Sequence, residues 1–145
     1  MILIDIGNTN IVFAVSVNKK IKNIKRIGTN KEIKSFNNIV SKIIKIYLNL
    51  NYLKNSKTAI ISSVVPNINS RIIKILKLHK IKVYVLKPRD MLPYFKIDYD
   101  LNEIGADRIA NSAAVIDYKI QNSIVIDFGT ATTFEVLKKI GFWEV

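Results

Sequence analysis

The feature that most constrains the fold of this chain is a short motif that occurs twice. Residues 2–10 read ILIDIGNTN and residues 124–133 read IVIDFGTATT. Each is an apolar run followed by Asp-x-Gly and small hydroxyl or amide side chains, which is typical of a strand ending in a tight turn. The turn places a carboxylate, Asp5 or Asp127, beside backbone N–H groups. One copy is often only a turn, but two copies predict duplicated halves facing each other across a cleft, each contributing a phosphate loop.

Composition limits the class of protein. The 145 residues are 49% hydrophobic and include no cysteine, so we expect a globular core without disulfide or thiolate chemistry. No apolar run approaches the roughly 18–20 residues that a membrane span needs. The N-terminal segment lacks the basic region and cleavage site of a signal peptide. We therefore expect a cytoplasmic, soluble protein with no membrane partner.

The net charge of +12 raises the question of nucleic-acid binding. Of the 23 basic residues, 19 are lysine and 4 are arginine, whereas a groove reader more typically uses arginine and aromatic side chains. We favour a compositional drift toward Lys, Ile and Asn and expect no nucleic-acid partner. The rival hypothesis, a basic nucleic-acid-binding domain, predicts DNA affinity that falls steeply with salt.

Hydrophobic periodicity predicts three antiparallel strands, then alternating helices and strands, then a β-hairpin. The elements before the second Asp-x-Gly strand are predicted at residues 2–6, 10–17, 20–27, 31–50, 58–65, 67–79, 82–86 and 103–118, and the return strand of the hairpin at 133–137. Residues 87–101 read as irregular. The faces predicted for the first two helices run through Ile33, Phe36, Val40, Ile43, Ile44 and Tyr47, and through Ile68, Ile72, Ile75, Leu76 and His79. His79, the single histidine, is interpreted as a helix-end residue in preference to a catalyst.

This element order is that of the ribonuclease-H-like half of the actin and sugar-kinase architecture, in which two halves close on ATP. We therefore predict an α/β fold with a mixed sheet. Residues 1–120 are predicted to form the first domain, and residues 121–145 the opening β-hairpin of a truncated second domain.

Two of the motifs carry recognisable chemistry. In DIGNTN, Gly7 permits close approach of the backbone, and the three polar residues that follow can donate hydrogen bonds to phosphate oxygens. Asp5 is placed to hold Mg²⁺ through water. The motif is not a Walker A phosphate loop, because the pattern GxxxxGK[ST] is absent. In GADR, residues 105–108, Asp107 and Arg108 fall in the first turn of a helix, where they could orient a hydroxyl and clamp a carboxylate. The alternatives are a structural turn and a helix-capping Asp107 beside a solvated Arg108.

The combination of motifs resembles one family. DIGNTN at 5–10, ISSVVP at 61–66, EIGADRIAN at 103–111 and IDFGTATTF at 126–134 occur in the order and approximate spacing of type III pantothenate kinases. Residues 1–137 resemble the first half of that family. The resemblance implies ATP-dependent phosphorylation of pantothenate to 4′-phosphopantothenate, the first step of coenzyme A synthesis. It also implies ATP with Mg²⁺, a requirement for K⁺ or NH₄⁺, and a homodimer.

The resemblance also implies roles for individual residues. Its ATP-phosphate motif matches Asp5, Ile6, Gly7, Asn8, Thr9, Asn10, Ile11 and Val12, and Thr130 matches a further ATP contact. Its pantothenate motif matches Gly105, Ala106, Asp107 and Arg108, with Asp107 as the general base and Arg108 as a ligand clamp. Tyr99 is the nearest match to the family's substrate tyrosine, and Asp127 matches the ligand of the monovalent cation.

The chain departs from the family after the second hairpin, where it reads KKIGFWEV. We expect the hairpin to be marginally stable and prone to aggregate unless dimerisation covers it. We hypothesise that the reading frame slipped at Lys138-Lys139 and that the true product continues. If one base is lost there and residues 142–145 are back-translated with GAG for glutamate, the offset frame reads Leu-Gly-Gly, the kind of segment that the resemblance implies here. The alternative function is a catalytically inactive remnant that acts as a dimerisation or regulatory domain.

Overall fold

The computed structural model describes residues 1–29, 35–50, 57–119 and 122–138, and the chain divides into two compact units, Met1–Leu86 and Lys87–Val145. The strands are β1 (Ile2–Ile6), β2 (Asn10–Val17), β3 (Lys20–Gly28), β4 (Thr58–Ser63), β5 (Lys82–Val85), β6 (Ser123–Phe128) and β7 (Thr132–Leu137), and the helices are α1 (Phe36–Leu48), α2 (Pro66–Leu78) and α3 (Ala106–Asp117). The predicted start of the first helix at residues 31–34, with Ile33, lies outside the described residues. So do Lys139 and residues 142–145, on which the frame-slip prediction depends.

The first unit is built on a mixed five-stranded sheet with the strand order β3-β2-β1-β4-β5. The chain turns back from β1 to β2 and from β2 to β3, which gives two antiparallel pairs. After α1 and α2 the chain returns to lay β4 parallel to β1 and β5 parallel to β4, as helical crossovers require. The predicted α/β class, the antiparallel meander and the order of elements are confirmed.

One apolar cluster forms the core of the first unit. Alternate residues of β1 and β2 and the apolar faces of α1 and α2 meet in it, among them Ile4, Phe13, Val40, Ile44 and Ile72. The predicted face residues of α1 and α2 that the structure describes are buried, except His79, which is half-buried. His79 is the C-cap residue of α2 and its Nε2 lies 3.2 Å from the Ser41 hydroxyl oxygen, in agreement with the predicted helix-end position.

The β2–β3 hairpin carries two local features that the alternating pattern does not reveal. Its turn residues Asn18 and Lys19 both have positive φ angles, 49° and 60°, which is the conformation of a two-residue type I′ turn. Farther along, Asn23 has a φ of 53° where the register between the strands shifts past Phe13, as at a β-bulge. The bulge directs the Asn23 carbonyl to the Tyr47 hydroxyl, which donates to it at 2.6 Å.

The second unit begins with a short 3-10 helix, Pro88–Met91, and a series of turns. Helix α3 starts at Ala106, later than the predicted start at residue 103. The reason is a turn at Asp100, whose carbonyl accepts the N–H groups of Glu103 and Ile104 at 3.1 Å each. Gly105 then adopts an extended conformation as the N-cap.

Strands β6 and β7 form a separate two-stranded antiparallel sheet with two unlike faces. One face carries Asp127 and Glu135 toward α3, and Glu135 is buried. The other face exposes large apolar side chains, namely Ile124, Ile126, Phe128, Phe134 and Val136. This alternation is the period of two expected for a strand pair with one covered face.

Within the described ranges, no helix combines the length and apolarity that crossing a membrane requires. The predicted domain boundary at residue 120 stays a prediction, because the division into compact units describes how residues pack and not which parts of the chain are duplicated halves.

Candidate active site

The first Asp-x-Gly segment forms the turn between β1 and β2. The Gly7 N–H donates to the Asn10 carbonyl at 2.9 Å, and a Cβ built at Gly7 would lie 3.3 Å from that oxygen. This is tighter than a side chain ordinarily tolerates, so the glycine serves close backbone approach, as the sequence predicts. Asn8 and Thr9 are exposed at the tip of the turn.

Thr29, a residue that the sequence motifs do not include, holds this turn from the end of β3. Its hydroxyl donates to the Gly7 carbonyl at 2.8 Å, and its N–H donates to the Thr9 carbonyl at 2.9 Å. Thr29 is 8% exposed. The signal that could have identified it is a small hydroxyl residue directly after a strand whose last residue, Gly28, pairs with Asn10.

Asp5 is exposed on β1 one residue before the strand ends. In register it lies between Val12 of β2 and Ser62 of the parallel strand β4. The Ser62 hydroxyl is buried and has no hydrogen-bond partner among the described residues. Since β1 and β4 are parallel, the turn after β1 and the chain leading into α2 leave the sheet at the same edge. No acidic residue occupies the first turn of α2.

The remaining residues of the predicted ATP motif divide by burial. Ile6 and Ile11 are fully buried and pair with each other in the sheet, so only their backbone groups could reach a ligand. Asn10 and Val12 are partly exposed. The structure therefore presents the motif as a backbone turn with polar side chains at its tip and aliphatic anchors below it.

The predicted substrate motif begins helix α3 in the second unit. Gly105 is the N-cap, Ala106 is buried, and Asp107 lies in the first turn. One Asp107 oxygen, Oδ1, accepts the Arg108 N–H at 2.8 Å. A carboxylate at this position is stabilised by the helix dipole.

Arg108 is held by the β6–β7 hairpin and is not the solvated side chain of the alternative interpretation. Its Nε–H donates to Glu135 Oε1 at 2.7 Å, and its Nη2 donates to the Phe134 carbonyl at 3.1 Å. The guanidinium carbon also lies 5.4 Å from the centre of the Tyr99 ring, within range of a cation–π contact. The structure therefore brings Tyr99 and Arg108, two predicted substrate residues, together.

The second Asp-x-Gly segment meets the same helix. The Asn111 side-chain amide donates to Asp127 Oδ2 at 3.3 Å, and the Gly129 N–H donates to the Ala131 carbonyl at 3.2 Å. Thr130 is exposed in this turn. The two Asp-x-Gly segments thus both form antiparallel hairpin turns, but the second has one residue fewer between its last paired residues.

Glu135 is the second site residue absent from the sequence-based predictions. Its position opposite Val125 places it on the same hairpin face as Asp127. The signal was the period of two in TTFEVL, which puts a carboxylate on the covered face of the strand. A charge at such a position calls for a partner, because an unpaired buried carboxylate is costly.

Metal binding at either Asp-x-Gly segment would not depend on a preformed cluster. Among the described residues, no group of three or more His, Cys, Asp or Glu side chains could hold an ion. Mg²⁺ commonly keeps several waters and binds through one or two carboxylates together with substrate phosphates. Exposed Asp5 fits that mode. Asp127, with one oxygen engaged by Asn111, fits a ligand to a weakly held monovalent cation.

Comparisons with known proteins agree on one family. The family model described as type III pantothenate kinase matches residues 1–143. The chain is 41% identical over 139 residues to the type III pantothenate kinase of Pelagibacter ubique (strain HTCC1062), across 93% of this chain and 53% of the relative. It is 35% identical over 145 residues to that of Thermosipho africanus (strain TCF52B), across 96% of this chain and 54% of the relative. The chain thus spans about half the length of these relatives.

Proposed function

This chain belongs to the type III pantothenate kinase family, and from that premise we propose that it transfers the γ-phosphoryl group of ATP to pantothenate, the first step of coenzyme A biosynthesis. The observation that carries the proposal is the placement of Asp107 and Arg108 in the first turn of α3, with Arg108 fixed on the second Asp-x-Gly hairpin. A base beside a fixed cation is what a hydroxyl-bearing carboxylate substrate requires.

The fold we propose is the ribonuclease-H-like half of an actin-like ATPase, followed by the opening hairpin of a second half. The supporting observation is the strand order β3-β2-β1-β4-β5, with three antiparallel strands continued by two parallel ones. The two Asp-x-Gly hairpins support the duplication, since each begins a unit of the proposed architecture.

The nucleotide part of the proposal rests on the β1–β2 turn. Its Gly7 allows close backbone approach, and its exposed amide and hydroxyl side chains at Asn8 and Thr9 can donate to phosphate oxygens. The start of α2 at the same sheet edge adds a positive helix-dipole end without an opposing carboxylate. Asp5 would hold Mg²⁺ through water, and Thr130 would provide a further contact to ATP.

The substrate part of the proposal assigns one role to each residue of the second unit. Asp107 receives the proton of the pantothenate hydroxyl, a form of catalysis typically worth about 10²–10⁴-fold in rate. Arg108 binds the pantothenate carboxylate, and Tyr99 lines the site beside Arg108. Gly105 and Ala106 form the backbone of the substrate site. Asp127 would hold K⁺ or NH₄⁺, whose charge offsets that of the transferring phosphoryl group.

Three further properties belong to the same proposal. We propose a homodimer in the cytoplasm, with pantothenate as the small-molecule partner. We propose that the excess of basic residues does not bind nucleic acid. A lack of salt-dependent DNA binding would agree with this last point.

Replacement of Asp107 by Asn tests the proposed reaction. The substitution keeps the size of the side chain and its place in the first turn of α3 but removes the basic carboxylate. We expect pantothenate-dependent ADP formation to fall about 10²–10⁴-fold, while pantothenate still binds. The matched control is Asp117→Asn in the last turn of the same helix, which should leave the rate unchanged. Equal rates for Asp107→Asn and wild type would contradict the assigned base.

A second candidate function is a non-catalytic dimerisation or regulatory domain. The observation that favours it is the exposed apolar face of the β6–β7 hairpin, where Phe128 is 81% exposed. Faces of this kind are typical of interaction surfaces. Dimerisation measured by analytical ultracentrifugation, together with no ATP binding by calorimetry, would favour this candidate over the kinase.

A further inference from the structure

We propose that Glu135 is a positioning residue for substrate recognition, which holds the Arg108 guanidinium by one edge so that its other edge is free to bind a ligand carboxylate. This inference rests on the proposed function and deepens it. It concerns a residue outside the motifs that carry the family resemblance, on a strand 27 residues away from Arg108 in the chain.

The geometry of the guanidinium leaves one edge of Arg108 available to a ligand. Arginine presents five N–H donors in a rigid planar fork. The hairpin engages the side of the fork formed by Nε and Nη2, through Glu135 Oε1 at 2.7 Å and the Phe134 carbonyl at 3.1 Å. No described residue accepts a hydrogen bond from Nη1. The edge formed by Nη1 and Nη2 therefore retains donors in the arrangement that binds a carboxylate with two parallel hydrogen bonds.

Other contacts also restrict the Arg108 side chain. The Tyr99 ring lies 5.4 Å from the guanidinium carbon, and the Arg108 side chain is only 25% exposed. A long side chain held in one orientation before binding loses less conformational freedom when the ligand arrives. Glu135 supplies the charged part of this restraint, since Phe134 contributes only a neutral carbonyl.

Glu135 itself is buried. Its side chain is 6% exposed, and its second oxygen, Oε2, is buried with no hydrogen-bond partner among the described residues. A carboxylate that served only to anchor α3 would be expected to use both oxygens, because an unsatisfied buried acceptor is destabilising. Among the described residues, the Glu135 carboxylate therefore directs its hydrogen bonding to Arg108 alone, as a residue that orients the guanidinium would.

The experiment compares two ligands on the full chain and on variants of Glu135. The ligands are pantothenate and its alcohol analogue, in which a hydroxymethyl group replaces the carboxylate, and the readout is the dissociation constant from calorimetry without ATP. Glu135→Gln keeps the shape of the side chain but removes its charge. We expect it to weaken pantothenate binding about 10- to 100-fold, as expected for a lost charged hydrogen bond, and to change binding of the alcohol less than about 3-fold. Glu135→Asp should recover part of the pantothenate affinity.

The two-ligand comparison separates positioning from a structural role. An equal loss of affinity for both ligands in Glu135→Gln would overturn the inference, because general damage to the site does not distinguish a carboxylate from an alcohol. Unchanged pantothenate affinity would overturn it as well. If Glu135→Gln does not fold, the same comparison on Glu135→Asp decides between these outcomes. A wild-type chain that binds no pantothenate overturns the proposed function itself, and so fails in a distinguishable way.

Discussion

At the scale of single residues, Thr29 links the end of β3 to the proposed phosphate turn. Its hydroxyl and its N–H each donate to a carbonyl of that turn, those of Gly7 and Thr9. Both carbonyls are thereby engaged within the fold. We propose that this keeps them from facing phosphate oxygens, since a carbonyl pointing at a phosphate would be repulsive.

Replacement of Thr29 by Val removes the hydroxyl at nearly constant shape and leaves the backbone hydrogen bond to Thr9. We expect the KM for ATP to rise about 10-fold, the effect of losing one buried hydrogen bond, with a smaller change in the KM for pantothenate. Steady-state kinetics with each substrate varied in turn measures both. Thr29→Ser retains the hydroxyl and is the matched control. An unchanged KM for ATP in Thr29→Val would show that the hydroxyl does not shape the turn.

Thr29 and Glu135 also show what sequence patterns miss at this scale. The motifs at 5–10 and 105–108 could be recognised in the sequence because their residues are consecutive. Thr29 and Glu135 act on residues that are distant in the chain, 22 positions away for Thr29 and Gly7. Strand pairing brings Thr29 to the β1–β2 turn, and packing of α3 against the β6–β7 hairpin brings Arg108 to Glu135. Local propensity contains no information about either arrangement.

At the scale of elements, Tyr47 fastens helix α1 to the β2–β3 hairpin. Its side chain is fully buried, and its hydroxyl donates to the Phe13 carbonyl at 3.0 Å as well as to the Asn23 carbonyl at the bulge. Burial raises the pKa of Tyr47 to about 12. The helical spacing predicted that Tyr47 is buried, but not that its hydroxyl satisfies a carbonyl freed by a bulge.

Replacement of Tyr47 by Phe should lower the free energy of unfolding by about 1–3 kcal/mol at neutral pH, since the buried Phe13 carbonyl and the part-buried Asn23 carbonyl lose their shared donor. The folded-state pKa of Tyr47 lies above its ordinary value of 10.0, so folding favours the neutral phenol. This contribution is fully present below about pH 10 and is lost as the pH rises toward about 12. Urea unfolding at neutral and alkaline pH should therefore show a smaller alkaline loss in Tyr47→Phe than in wild type.

The matched control for Tyr47 is Tyr118→Phe. Tyr118 is 77% exposed at the end of α3, so its removal should change the free energy of unfolding by less than about 0.5 kcal/mol at either pH. An unfolding curve for Tyr47→Phe that coincides with that of Tyr118→Phe would contradict the fastening role.

Element boundaries were less predictable than the elements themselves. Strands β1 and β2 have the predicted bounds because alternating apolar residues stop at turn residues. Helix α3 begins later than predicted because the N–H groups of Glu103 and Ile104 donate to the Asp100 carbonyl in a separate turn. Asp100 gave no distinctive sequence signal, since an aspartate before a helix also fits an N-cap.

At the scale of the whole molecule, two chemically distinct sets of residues lie in two compact units. The proposed phosphate motif from Asp5 to Val12 belongs to Met1–Leu86, whereas the proposed substrate residues from Tyr99 to Arg108 and the proposed ATP contact Thr130 belong to Lys87–Val145. The order of motifs along the sequence was enough to predict the family, while the roles of the two sets stay predictions. It did not predict where compact packing divides the chain, because that depends on which helices and strands share a core.

The central claim is that this chain phosphorylates pantothenate, and transfer of label from ATP tests it most directly. The purified chain would be incubated with pantothenate, Mg²⁺, K⁺ and ATP carrying a radioactive γ-phosphate, and the products separated by chromatography. We predict label in 4′-phosphopantothenate, dependent on both the chain and pantothenate. Label that remains in ATP, or that appears only as inorganic phosphate, would contradict the proposed function.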